Sequence, residues 1–62
     1  MFLYFTDATS QQAIAINPAH VVAVFTVQEG DMKGKTAIGV VNGSVLVEES
    51  QIEVVGVLQG QQ

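Results

Sequence analysis

The stretch TAIGVVNGSVLV, residues 36–47, decides the fold class of this chain. Two mostly apolar runs rich in β-branched residues flank Asn42 and Gly43, and this dipeptide is the strongest short-range signal for a β-hairpin. Asn and Gly tolerate the positive φ angles that a type I′ turn requires at both central positions, so we expect that turn here. Gly39 interrupts the first run, where glycine usually marks a bulge, a bend or a close backbone approach. These residues predict an antiparallel hairpin within a sheet that can curl.

Two shorter strand candidates begin the chain. Residues 2–6 and 12–16 each carry apolar side chains, and the cluster Asp7–Ser10 between them consists of residues that favour turns. They are therefore expected to form a hairpin of their own. Asn17 precedes Pro18, and a residue before proline is kept out of the helical region, so we expect a sharp corner after the second strand.

The longest strand candidate is residues 20–28, which is apolar on both faces over most of its length. Such a run is typical of a strand that is covered on both sides, in a closed barrel or at a subunit contact. The polar residues 29–35 follow as a long, flexible hairpin connection. The fold prediction is a single, mainly β domain over residues 1–62: a small antiparallel curled sheet or an SH3/Sm-like barrel of about five strands, with a possible short C-terminal helix.

The segment 51–58 is left open between helix and strand. Ser50 and Glu53 match the S-x-x-E capping box, in which each side chain satisfies a backbone N–H at the start of a helix. In a helix, Ile52, Val55 and Leu58 would form an apolar stripe. Against a helix stand the β-branched valines and the central glycine, which have poor helix propensity.

The small size of the chain makes a stabilising partner expected. A chain of 62 residues buries about 60% of its unfolded surface on folding, and such a small core has little net stability. Small domains are usually held by disulfides, a structural metal or oligomerisation. The chain contains no cysteine and one histidine, so self-association or docking on a larger protein remains.

Charge excludes several classes of partner. The net charge of −4, with two lysines and no arginine, gives no basic face for phosphate, so neither nucleic acid nor an anionic membrane surface is expected as a partner. The apolar start stops at Asp7 and lacks the basic residues of a signal peptide, and no apolar run reaches the length of a membrane span. A cytoplasmic protein is the expectation.

No residue pattern points to catalysis, a cofactor or a metal. His20 has no nucleophile or carboxylate at a spacing that would suggest a catalytic set, and we expect it to be structural or exposed. Glu48, Glu49 and Glu53 form an acidic cluster that is expected to be a solvated surface. Aromatic residues without a basic groove favour core or interface packing over stacking on nucleic acid bases.

Part of the sequence resembles the FlbD family of small bacterial flagellar proteins. The resemblance lies in Ile14 to Asn17, Val21, Thr36, Ile38, Asn42-Gly43, Val47, Glu49 and Ser50. It implies a motility accessory protein. The loop 29–35 is longer than in that family, and the final segment is valine-rich where the family has charged helix formers.

Two functions follow as hypotheses. The first is a noncatalytic, self-associating β-module that acts as a structural or assembly protein in a bacterium or phage. The second is an acidic binding or inhibitory protein that docks on a larger protein, steered by its carboxylates. An enzyme would need a site composed from several copies. The expected interface residues of the first hypothesis are Phe2, Tyr4, Val22, Val24, Phe25, Val55 and Val57.

Overall fold

The computed structural model describes residues 1–60, and Gln61 and Gln62 lie outside the described residues. The part described is mainly β, as predicted, with five strands in two antiparallel sheets and one C-terminal helix. In chain order the elements are β1 (Leu3–Thr6), β2 (Ala13–Ile16), a 3-10 turn (Pro18–His20), β3 (Val21–Thr26), β4 (Thr36–Val40), β5 (Gly43–Val47) and α1 (Gln51–Gln59).

The predicted N-terminal hairpin is confirmed. β1 pairs antiparallel with β2, and Leu3 lies opposite Ile16 while Phe5 lies opposite Ile14. These four side chains belong to the core or pack against it. The turn is held by Asp7, whose carboxylate accepts hydrogen bonds from the backbone N–H of Ser10 at 2.8 Å and from its hydroxyl at 2.7 Å.

The second sheet is a meander in the order β3-β4-β5. The hairpin predicted at residues 42–43 is present, but its turn is not the predicted type I′ turn centred on Asn42 and Gly43. Val40 pairs with Gly43, which leaves Val41 and Asn42 as the two loop residues. Asn42 keeps a negative φ angle, whereas type I′ needs positive φ at both central positions.

A β-bulge in β3 sets which side chains face the core. The register shifts between Val21 and Ala23, so the extra residue is Val22. Gly39 lies opposite Ala23, which agrees with the expectation that this glycine accompanies a bulge. A Cβ atom at Gly39 would come no closer than 3.6 Å to its neighbours, so the position does not require glycine for space.

The two sheets meet where the end of β1 lies beside β5. Asp7 forms an isolated antiparallel bridge with Val47, and the N–H of Glu48 donates to the carbonyl oxygen of Thr6 at 2.8 Å. Strand pairing within residues 1–60 leaves one edge of β2 and one edge of β3 without any neighbouring strand, and the outer edges of β1 and β5 meet only near the Asp7–Val47 bridge. The sheets therefore curl around a common core, and a closed SH3/Sm-like barrel is not confirmed.

The segment left open by its sequence forms a helix. Ser50 accepts a hydrogen bond from the N–H of Glu53 at 3.2 Å, and the Glu53 carboxylate accepts one from the N–H of Ser50 at 3.4 Å, so the capping box is complete. Val54 is fully buried and Leu58, one turn later, packs against the core. Burial of this pair explains why valines with poor helix propensity adopt a helix here.

The core lies between the two sheets and is closed by α1. Its buried cluster draws on both sheets and the helix, and consists of Leu3, Phe5, Ile16, Ile38, Val47 and Val54. Thr36 is also buried, and its hydroxyl has no hydrogen-bond partner within residues 1–60. No helix in this range is long and apolar enough to cross a membrane.

Candidate interaction surfaces

Most of the expected interface residues are exposed. Val22 and Tyr4 are 68% and 71% exposed, and Phe2, Phe25 and Val57 also belong to the exposed large hydrophobic residues. Their side chains therefore do not find cover within one chain. Within the single chain β3 is covered on its inner face, and its outer face leaves Val22 and Phe25 exposed. Cover on both faces at a subunit contact stays a prediction.

Val24 is less exposed than most of the expected interface residues. Its side chain is half-buried and packs against the core cluster. Val24 pairs with buried Ile38, and the bulge at Val22 places Val24 and Val21 on the same inner face although they are three residues apart. Strict alternation along the sequence does not anticipate this, since one extra residue exchanges the two faces of a strand.

The helix presents a different stripe to the core from the one expected. Ile52, Val55 and Leu58 were expected to form that stripe, whereas Val54 and Leu58 form it in the structure. Ile52 is 86% exposed and Val55 is half-buried. The four-residue spacing of Val54 and Leu58 is an equally good helical signal in the sequence, so Ile52 is an exposed apolar residue that pattern analysis missed.

A groove of about 780 Å³ lies between the outer side of α1 and the edge of β3. The Thr26 hydroxyl donates to the side-chain oxygen of Gln51 at 2.7 Å and ties the two elements together. Ile52 and Val55 supply the apolar side chains of the groove. Gly56 lies beside them, and a Cβ atom at this position would have no neighbour within 4 Å. The lining contains no charged residue, and consists of Thr26, Ser50, Gln51, Ile52, Val55, Gly56 and Gln59.

The edge of β3 beside this groove has unpaired backbone groups. Val27, just after β3, is hydrogen-bonded to the segment just before β4. It donates to the Lys35 carbonyl at 2.9 Å and accepts from the Gly34 N–H at 3.0 Å. Because such pairing alternates along an antiparallel strand, Val24 and Thr26 direct their N–H and C=O groups away from β4. The Thr26 carbonyl accordingly accepts from the Gln28 side chain at 3.1 Å.

A second, smaller groove of about 340 Å³ lies at the end of the molecule where Phe2 and Ile16 approach Val40. It includes His20, which is exposed, as expected. Asn17, also in the lining, uses its side-chain oxygen to accept from the N–H of Ala19 at 3.0 Å. Within residues 1–60 no group of three potential ligands could hold a metal ion.

The carboxylates of the acidic cluster accept hydrogen bonds within the fold, although Glu53 is exposed and Glu48 and Glu49 are only half-buried. Glu48 binds Lys35 and Gln11, with a Lys35 Nζ to Glu48 Oε1 distance of 2.5 Å. Glu49 accepts hydrogen bonds from the N–H of Thr6 at 2.9 Å and from its hydroxyl at 3.1 Å, which joins β1 to the segment before α1. Glu53 completes the capping box.

Two of the carboxyl groups have lowered pKa values. The hydrogen bond from Lys35, then the one from Gln11, lowers the pKa of Glu48, because both stabilise the charged form. The backbone N–H of Ser10, then its hydroxyl, lowers the pKa of Asp7. Acidic residues of this chain thus stabilise turns and strand contacts.

No protein-family model matches the sequence, and no significant match was found among curated proteins or among solved structures. The resemblance to the FlbD family stays a prediction from the residues that carry it.

Proposed function

We propose that this protein is a noncatalytic, self-associating β-module that serves as a structural or assembly protein in a bacterium or phage. The observation that carries the proposal is the open edge of β3, where unpaired backbone groups lie beside exposed apolar side chains. Such an edge is a template for pairing with another strand, and proteins that remain monomeric usually blunt it with lysine, proline, a bulge or a covering element. β3 contains neither lysine nor proline, and its bulge lies at Val22, before the open backbone groups of Val24 and Thr26.

The size of the chain supports the same conclusion. A 62-residue protein without cysteine has no disulfide to stabilise it, and its small core has little stability in reserve. Burial of Val22, Phe25 and Ile52 between copies would add apolar contacts that the single chain does not make. An accessory role in motility, as the FlbD resemblance implies, is one form that this assembly function can take.

The alternative, an acidic binding or inhibitory protein, has weaker support. The net charge would steer a basic partner from a distance, but close recognition also requires carboxylates that are free to bind that partner. Glu48, Glu49 and Glu53 are hydrogen-bonded within the chain, which leaves Glu29 and Asp31 in the loop before β4. Two loop carboxylates form a poor recognition surface compared with the uncharged groove and strand edge.

Light scattering during gel filtration tests the proposal. We expect a mass that is a multiple of 6.6 kDa and a melting temperature that rises with protein concentration, because association stabilises the folded chain by mass action. A monomer at all concentrations, with two-state unfolding at low micromolar concentration, would refute self-association.

A further inference from the structure

We propose that the groove between α1 and β3 is the contact between two copies of this chain, and that β3 of the second copy pairs antiparallel with β3 of the first. This inference rests on the proposed self-association and specifies its surface and symmetry. The pairing joins two three-stranded sheets into one sheet of six strands, with both helices on the same side of it.

Within residues 1–60, the outer edges of β1 and β5 meet at the Asp7–Val47 bridge, whereas β2 and β3 each have an edge with no strand contact and differ in their capacity to pair. β2 has four residues and is followed by Asn17 and Pro18, and proline has no N–H to donate to a neighbouring strand. β3 has six residues and ends in a hairpin connection. Val24 and Thr26 supply N–H and C=O groups on its open side, of which the Thr26 carbonyl also accepts from the Gln28 side chain. β3 is therefore the longer of these two edges and the one that offers a second strand a site after the bulge.

A second copy fits this edge because an antiparallel pair of identical strands is related by a two-fold axis. If residue i of one strand contacts residue j of the other copy, then residue j of the first strand contacts residue i of that copy. The same strand therefore supplies both sides of the contact. The axis lies perpendicular to the joined sheet and keeps the inner faces of both copies on one side. Ile52 and Val55 of each helix consequently face the groove of the other copy.

Charge also favours a second copy over a foreign strand. The chain carries a net charge of −4, so two copies repel each other wherever their carboxylates approach. Neither β3 nor the groove lining contains a charged residue. Two acidic molecules can therefore come together here at little electrostatic cost, and the surface has no charge with which to select a different protein. The second groove is also uncharged but has less than half the volume, about 340 Å³ against 780 Å³.

The groove is also needed to make the contact large enough. A dimer interface of standard size covers about 800 Å² on each partner, which is about a fifth of the 4101 Å² surface of this chain. A strand edge alone presents mainly backbone groups. The exposed side chains of Val22, Phe25 and Ile52 extend the contact onto both faces of the joined sheet.

Lysine substitutions with a matched control test this surface. Val22→Lys places a charge on the open edge, and Ile52→Lys places one in the groove. Both side chains are largely solvated in the single chain, so folding should be preserved. Val41→Lys introduces the same charge at an equally exposed position, 66% against 68% for Val22, in the turn between β4 and β5.

Sedimentation equilibrium gives the dimer dissociation constant of each variant, and circular dichroism confirms that it is folded. We expect Ile52→Lys and Val22→Lys to raise the dissociation constant about tenfold or more, since an apolar side chain that would be buried becomes a charge. Val41→Lys should leave it within about twofold, as expected of a change outside the contact.

Hydrogen exchange separates strand pairing from side-chain contact alone. The N–H groups of Val24 and Thr26 should exchange quickly in the dilute monomer and become protected as the dimer forms. A dimer that all three substitutions leave unchanged, or one without this protection, would place the interface elsewhere while self-association stands. A wild-type chain that remains monomeric at every concentration would refute both the interface and the proposed function.

Discussion

Removing two carbon atoms from Val54 should reveal how α1 is held on the sheets. Val54 is fully buried in the core cluster, and Leu58 is the other helix side chain that packs against that cluster. The helix therefore depends on a small contact, and Val54→Ala removes its central part without changing charge or introducing a polar group.

The expected loss of stability follows from burial, cavity formation and helix propensity. Two buried carbons contribute about 0.8 kcal/mol each, and a cavity that the core closes in part adds about 1 kcal/mol. The better helix propensity of alanine offsets about 0.5 kcal/mol. The net decrease in the free energy of unfolding should be about 2 kcal/mol, which lowers the melting temperature by about 10 °C for a chain of this size.

Val57→Ala is the matched control because it makes the same change in the same helix. Val57 is 42% exposed, so its truncation has the same gain in propensity and a smaller loss of burial. We expect its free energy of unfolding to stay within about 0.5 kcal/mol of wild type. Urea denaturation followed by circular dichroism measures both variants, at a concentration where light scattering gives wild type and variants the same mass.

A difference between the two variants below about 0.5 kcal/mol would contradict the position of the helix. It would mean that the Val54 side chain is not buried in the core on folding, because the change in helix propensity is the same in both substitutions. In that case α1 would not pack against the two sheets through Val54, and the groove beside α1 would not exist.

Three further predictions concern the helix cap, two glycines and the response to pH. Ser50→Ala should lower the free energy of unfolding by about 1 kcal/mol in urea titrations, because the capping box loses its hydroxyl; no change would contradict the cap. Gly56→Ala should raise the free energy of unfolding by up to about 1 kcal/mol, because Gly56 is helical and a Cβ atom there meets no neighbour. Gly34→Ala should lower the free energy of unfolding by about 1 kcal/mol, because Gly34 has a φ of 91°. Equal effects of the two substitutions would contradict the backbone conformations of these glycines. Folded-state pKa values of Asp7 and Glu48 lie below their ordinary values, so their contribution is complete at neutral pH and declines as the pH falls through about 4 and below; the urea midpoint should decline there, and less steeply in Glu48→Gln.

Local sequence signals located the elements accurately where the deciding contact is itself local. The Asp7 turn and the Ser50 capping box each involve residues within three positions of one another. The hairpin around Asn42 was also found, although its turn begins one residue earlier. These signals depend on side-chain chemistry next to the backbone group it satisfies, so they do not need the rest of the fold.

Which face a residue presents was not predictable in the same way. Val24 was an expected interface residue, whereas the bulge at Val22 places its side chain against the core cluster. Ile52 and Val54 are two residues apart in one helix, yet one is exposed and the other is buried. Only the position of the sheets relative to the helix distinguishes them, because both are apolar and both fit a helical stripe.

The sequence by itself determined a small, mainly β, acidic chain with more apolar side chains than local pairing requires, since composition and turn residues depend on no distant contact. The tertiary structure decided where the apolar side chains that are not buried in the core lie on the surface. Strand register, the bulge and the docking of α1 join residues far apart in the chain, as when Glu49 accepts the N–H of Thr6. Those long-range contacts leave β3 as an open edge beside Ile52, and no short stretch of sequence contains that arrangement.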